Sequence, residues 1–301
     1  MKQKIAVNLI PTYKTDTIDL YTRFNPKDST IGDLVIYDQM LHELNKNFEI
    51  ERISVLGGEI SLLSDLYFDL LYSLLKLHTN NIIVHTNFKH FNKALINGTD
   101  IITVDYNFTD VPEVFKNIKA AIQIGKIINI QTLDVACQKE TPRTSVTVLN
   151  GLNIKSWEIV PYIKTVYSKI MTPDYGHFEK IVLSYLKISN NMNFAFHNKL
   201  QLEGIISNNN YEIGTVYLTP YNKFALEDYT NDNFVLTEFE DFEQFLQHYN
   251  QTQIKQAQQC KDCKVKLKCL ANYYRYPSSS KESCCGFSNL IYTYSKHKEQ
   301  Q

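Results

Sequence analysis

The chain has 301 residues, 44% of them apolar and 21% charged, with a formal net charge of -1. That length allows one large domain with a sizeable core and a smaller appendage, and the near-neutral balance excludes long-range attraction to nucleic acid or to a membrane surface. The first apolar run, residues 5–10, is too short for a signal-peptide core and ends at Pro11, and no stretch approaches a membrane span, so a cytoplasmic protein is expected.

Apolar runs then alternate with helix-periodic segments. Residues 5–10 read as a buried strand, and Ile31, Leu34, Met40, Leu41 and Leu44 recur at roughly helical spacing. Residues 50–56 form the next strand, followed by the turn Gly57-Gly58-Glu59. Leu63, Leu66, Leu70, Leu71, Leu74 and Leu75 mark a second helix. Strands are expected at 82–86, 101–105 and 127–133, with a short helix at 88–95 and a longer one at 111–124 that Gly125 can close. Further on, 144–152 reads as helix, 155–160 as a sixth strand ending at Pro161, and 177–188 as helix.

Strands alternating with helices imply parallel pairing through right-handed crossovers, hence an α/β fold. The rhythm alone allows either a doubly wound sheet or a barrel. Its strands read as continuous apolar runs, as expected when both sheet faces are covered.

Near residue 192 the texture changes. Short strands are expected at 193–197, 212–219, 223–229 and 234–237, and a helix at 239–258 leads into a group of cysteines. A boundary at 190–200 therefore divides the chain into 1–195 and 196–301.

Five of the six cysteines cluster: Cys260, Cys263, Cys269, Cys284 and Cys285. Cys260-x2-Cys263-x5-Cys269 with Cys284 or Cys285 supplies four thiolates, soft donors suited to a [4Fe–4S] cluster or a structural zinc. The eight histidines contain no His-x3-His and no His-Glu-x2-His pattern, and neither a nucleophile elbow nor a phosphate-binding loop occurs.

The α/β repeat, the Gly-Gly-Glu turn after the second strand and the C-terminal cysteine spacing together resemble radical-SAM proteins with a SPASM or twitch extension. The resemblance covers nearly the whole chain. It implies a partial (β/α)6, TIM-like barrel over 1–195 and a small SPASM/twitch-like, cysteine-rich domain over 196–301. It also implies that Gly57, Gly58 and Glu59 stand where the family binds the amino group of S-adenosylmethionine. Residues 84–87, VHTN, are similar to the family's third strand, which commonly ends Thr-Asn-Gly; here Phe88 replaces the glycine. Residues 157–162, WEIVPY, resemble the sixth-strand region.

After the first strand the family carries Cys-x3-Cys-x2-Cys, which holds the cluster that cleaves S-adenosylmethionine. Thr15, Asp19 and Thr22 occupy those spacings here, Asp16 aligns with the following Asn, and Tyr21 falls on the adenine-contacting aromatic. Hydroxyls and carboxylates are hard donors that hold iron–sulfur clusters poorly, and no cysteine precedes Cys137. The resemblance thus implies a protein with no catalytic residues for radical initiation. It implies one auxiliary [4Fe–4S] cluster, or zinc, on Cys260, Cys263, Cys269 and Cys284, with Tyr273 where the family's second auxiliary site takes a cysteine. The implied partners are a precursor peptide or an active radical-SAM maturase, with the edges of 212–237 open to β-augmentation. The alternative is an enzyme that binds S-adenosylmethionine through Glu59 and Tyr21, or that transfers electrons through the remaining cluster. Asp16, Asp19 and Glu59 could also gather at the ligand end of a barrel.

Overall fold

The computed structural model describes residues 2–15, 24–25, 27–108, 111–137, 140–162, 165, 167, 175–207, 214–230, 233–259 and 287–299. Within them, strand and helix alternate as the apolar patterning requires. The first half runs β1 (Gln3–Leu9), α1 (Leu34–Asn47), β2 (Phe48–Val55), α2 (Asp65–Leu75), β3 (Ile82–Thr86), α3 (Lys93–Gly98), β4 (Ile101–Asp105) and α4 (Val111–Gln123). It continues with β5 (Ile127–Leu133), α5 (Pro142–Asn150), β6 (Ser156–Val160), α6 (Tyr175–Leu186), β7 (Ala195–Phe196) and α7 (His197–Ile206). Three strands and two helices complete it: β8 (Gly214–Leu218), β9 (Phe224–Thr230), β10 (Asn233–Phe239), α8 (Phe242–Gln259) and α9 (Phe287–Glu299).

Local chemistry sets the helix starts. Asp33 caps α1 by accepting from the backbone N–H groups of Val35 and Ile36, Ser64 caps α2, and Thr141 caps α5 with Pro142 following. The helix expected at 88–95 begins only at Lys93. Phe88 holds a left-handed φ of 58°, and Asn92 supplies the cap by accepting from Leu95 N. Two helices, α7 and α9, have no counterpart in the sequence reading. In α7 Leu202 is buried but Leu200 is 50% exposed, so its apolar stripe is too weak to read.

All the strands join one ten-stranded sheet in the order β10-β9-β8-β1-β2-β3-β4-β5-β6-β7. From β1 to β7 every pairing is parallel and follows chain order. β8 adds parallel to the free side of β1, and β9 and β10 follow antiparallel. Strand order that never reverses from β1 to β7, with right-handed crossovers, rules out a doubly wound sheet and packs α1 to α6 against one face. The core agrees: Ile5, Val7, Leu9, Ile53, Val55, Val84, Ile102, Val104, Ile130 and Trp157 pack with the buried side chains of the helices in one cluster.

The other face of the sheet is buried at Asn8, Ser54, Thr103 and Tyr217, so coverage on both sides holds there, but the strands are not continuous apolar runs. Alternate residues there are polar. Registered neighbours run Tyr217, Asn8 and Ser54 in one row, and His85, Thr103, Asn129 and Ser156 in the next. Period-two alternation places these polar residues on one face and the apolar residues of the core on the other. The sheet also curls. Five residues beyond β6, Thr165 forms a bridge with Phe234 of β10, so the chain leaving one end of the sheet meets the strand at the other.

The β7 edge is closed by a side chain. β7 pairs with only Ser156 and Trp157, and Asn198 of α7 then continues the ladder. Its amide oxygen accepts from Ile159 N at 2.8 Å and its amide nitrogen donates to Ile159 O at 2.7 Å. Both polar groups of Ile159 are thereby satisfied at an edge that could otherwise recruit another strand.

Candidate functional site

The polar face opens toward the C-terminal ends of the parallel strands, where ligands of α/β folds sit. The chain leaving β1 and the chain leaving β2 run side by side there. Gly58 N donates to Thr12 O at 2.9 Å and Glu59 N donates to Lys14 O at 2.8 Å. This approach explains both glycines. A Cβ on Gly58 would lie 2.0 Å from Lys14 O, and one on Gly57 would lie 2.6 Å from Thr12 O. Gly57 also has a φ of 142°, which side chains other than glycine's hydrogen rarely permit.

Glu59 is 3% exposed. Its Oε1 accepts from Ser61 N at 2.9 Å and from the Thr86 hydroxyl at 2.7 Å, and its Oε2 accepts from Asn87 N at 2.9 Å. A buried carboxylate is tolerable when its oxygens are met in this way. Glu59 therefore clamps the tip of β2 to the tip of β3. Phe88 follows with its left-handed backbone at the position where the resembled motif has glycine. The strained residue is held by Thr86 Oγ1, which accepts from Phe88 N, and by Asn117, whose amide donates to Phe88 O at 2.9 Å.

A second carboxylate clamps the next pair of tips. Asp134, 3% exposed after β5, accepts from Val135 N and from Tyr162 N, both at 2.9 Å, and its own N–H donates to Val160 O. Sequence reading missed Asp134, since a lone Asp after a strand has no distinguishing spacing. Trp157, by contrast, lies on the helix side, fully buried against Tyr185 at 4.8 Å, with its indole N–H donating to Thr132. It packs the core and does not reach the polar face.

Farther along that face, Ser156 donates to Asn129 Oδ1 at 2.7 Å and Gln201 donates to Glu158 Oε1 at 2.8 Å. The alternation in residues 127–133, IINIQTL, and 156–160, SWEIV, carried this signal. At the other end Tyr13 stacks on Phe24 with centroids 4.8 Å apart and meets Tyr221 edge-on at 5.8 Å. Burial, and then the charge of Glu238, push the Tyr13 hydroxyl well above its ordinary range, so it stays a neutral donor. Tyr221 hydrogen-bonds Asp28, which raises its pKa to about 12. The result is a sheet face with a buried aromatic end at Tyr13 and an amide- and carboxylate-bearing end at Asn129, Glu158 and Gln201 of α7.

Among the sequence-predicted site residues, Gly57, Gly58 and Glu59 come together with residues 12–14. Tyr21, Asp16, Asp19 and Thr22 lie outside the described residues, as do Cys260, Cys263, Cys269, Cys284 and Cys285. Cys137 is 2% exposed, and burial, followed by the charge of Asp134, pushes its thiol well above its ordinary value, so it is held as a neutral thiol in the core. With no cysteine before it, the donors near the β1 tip do not fit an iron–sulfur cluster.

No protein-family model and no curated protein matches the sequence. Solved structures do share the fold. The structure of native anSMEcpe with bound AdoMet is similar with a TM-score of 0.67 at 13% identity, over 97% of this chain and 98% of that one. Streptococcus suis SuiB bound to S-adenosylmethionine is similar with a TM-score of 0.62 at 15% identity, over 91% of this chain and 73% of that one. SuiB bound to the precursor peptide SuiA gives 0.55 at 14% identity over 74% of this chain, and the match spans 59% of the SuiB chain. In the described residues no helix is long and apolar enough to cross a membrane.

Proposed function

We propose that this chain is a degenerate relative of radical-SAM/SPASM maturases that takes part in ribosomal peptide maturation by binding, without initiating radical chemistry. In this reading the curled sheet is a partial (β/α)6 barrel, residues 196–301 form the SPASM/twitch-like part, and the polar face receives a precursor peptide or docks an active maturase. The observation that carries it is a Gly-Gly-Glu tip seated against a β1 loop from which every cysteine is missing. Support also comes from the fold shared with a protein solved with its precursor peptide. A scaffold that keeps its strand-tip clamps but lacks soft donors retains shape and loses the electron source.

One auxiliary [4Fe–4S] cluster is assigned to Cys260, Cys263, Cys269 and Cys284, with a structural role. Anaerobic purification with iron, sulfide and zinc analysis tests it; zinc alone, in one equivalent, refutes the cluster. Binding is tested by fluorescence anisotropy with labelled precursor peptides from neighbouring genes and by co-purification with a neighbouring maturase. Absence of both interactions sinks the reading.

A second reading, an enzyme using S-adenosylmethionine without radicals, is favoured by the same tip and by fold neighbours solved with that ligand. Calorimetry separates the two. Heat of binding that disappears in Glu59→Ala supports the enzyme, and none in the parent protein removes it.

A further inference from the structure

On the helix-covered side, α1 presents Asp38 and His42 one turn apart. The turn leaving α2 brings His78 against them. Asp38 Oδ1 lies 2.9 Å from His78 Nε2 and 3.3 Å from His42 Nδ1. The two imidazoles meet edge to face at 4.7 Å and 84°. One ligand atom from each of the three residues lies within 4.8 Å of the others.

We propose that Asp38, His42 and His78 form a binding site for a divalent first-row transition metal, zinc foremost. Two imidazoles and one carboxylate are the borderline donors that zinc prefers over magnesium or calcium. Metal–ligand bonds of about 2.0–2.2 Å in a tetrahedron separate neighbouring ligand atoms by roughly 3.3–3.5 Å. The contacts to Asp38 Oδ1 are hydrogen-bond distances, and His42 Nδ1 also meets the Asp38 carbonyl oxygen at 2.9 Å, so an ion would displace these protons and His42 would turn its ring to offer a bare nitrogen. Three protein ligands leave one position for water.

The surroundings support a built site. The His78 side chain is 2% exposed, and Asn45 holds its far nitrogen at 2.9 Å. Metal binding needs a bare Nε2, hence a proton on Nδ1. In the structure the Asn45 amide nitrogen faces Nδ1 and donates to it, so metal binding requires that amide to flip and present its oxygen, which then accepts the Nδ1 proton and holds the ring plane. The Asp38 and His42 side chains are 36% and 62% exposed, so an ion can enter from solvent. Searching for His-x3-His missed the group because its paired helical ligands are Asp-x3-His and its third lies beyond the next strand and helix. Once bound, the ion ties α1 to the connection between α2 and β3.

Cobalt(II) is the probe, titrated into the full-length protein. Thiolates of the C-terminal cysteines give sulfur-to-cobalt charge-transfer absorption, whereas a His2Asp site gives only ligand-field bands, so the two are read separately. The expected result is one equivalent without charge transfer, displaced by zinc and not by magnesium. His42→Ala should lose that equivalent, and its exposed position leaves the fold intact by circular dichroism. Asn45→Leu should weaken it by about 10–100-fold, the usual effect of removing an outer-shell partner. Equal cobalt binding in the parent and in His42→Ala, or no ligand-field equivalent at all, overturns the proposal. Neither result depends on whether the protein binds a peptide.

Discussion

The Glu59 carboxylate accepts a 2.7 Å hydrogen bond from the Thr86 hydroxyl, and through it the tips of β2 and β3 are locked together at the ligand end of the sheet. Glu59→Gln keeps the shape but turns one acceptor oxygen into a donor facing the donors Ser61 N, Thr86 Oγ1 or Asn87 N. Leaving a buried group unsatisfied costs about 1–3 kcal/mol, so the urea midpoint should fall accordingly. A midpoint unchanged from the parent would mean the clamp is not formed in solution.

Gly58→Ala tests the neighbouring contact. Its Cβ would fall 2.0 Å from Lys14 O, a backbone atom that cannot swing aside. Overpacking costs about 1–3 kcal/mol and displaces the β1 loop. Thermal melts should report the loss, and Gly151→Ala is the control for glycine chemistry, since its φ is an ordinary -76° and its Cβ would meet nothing closer than 3.4 Å.

Phe88 sets two effects against each other. Its ring is fully buried, so Phe88→Ala should cost about 3–5 kcal/mol. Its φ of 58° is unfavourable for any side chain by roughly 1–2 kcal/mol. Phe88→Gly should therefore be less destabilising than Phe88→Ala, against the usual order in which glycine is worse. Denaturation curves for the two variants decide it.

Buried neutral acids give a pH dependence with a definite sign. Burial raises the thiol of Cys137 above its ordinary 9.0 and the hydroxyls of Tyr37 and Tyr72 above their ordinary 10.0. Their contribution to stability is fully present below those ordinary values. It is lost as pH rises past them toward the folded values, because the unfolded chain ionises first. The unfolding midpoint should hold steady near neutral pH and fall once the solution passes about pH 9–10. At about pH 8, iodoacetamide should label Cys137 in urea but not in the native protein.

Sequence alone determined the alternation of β1 to β6 with their helices, because apolar periodicity is local and each run is long enough to read. It also determined the absence of cysteine thiolates before Cys137, which is a matter of residue identity. The Gly57-Gly58-Glu59 turn was legible as a motif, but its physical role was not. Only the tertiary structure decided that the glycines make room for residues 12–14 and that Glu59 spends its acceptors on Ser61, Thr86 and Asn87. The same holds for the sheet's direction. A strand–helix rhythm does not encode strand order, and order is what excluded double winding and put α1 to α6 on one face. Asp38, His42 and His78 meet because two crossovers return side by side, a juxtaposition no spacing rule along one chain segment can carry.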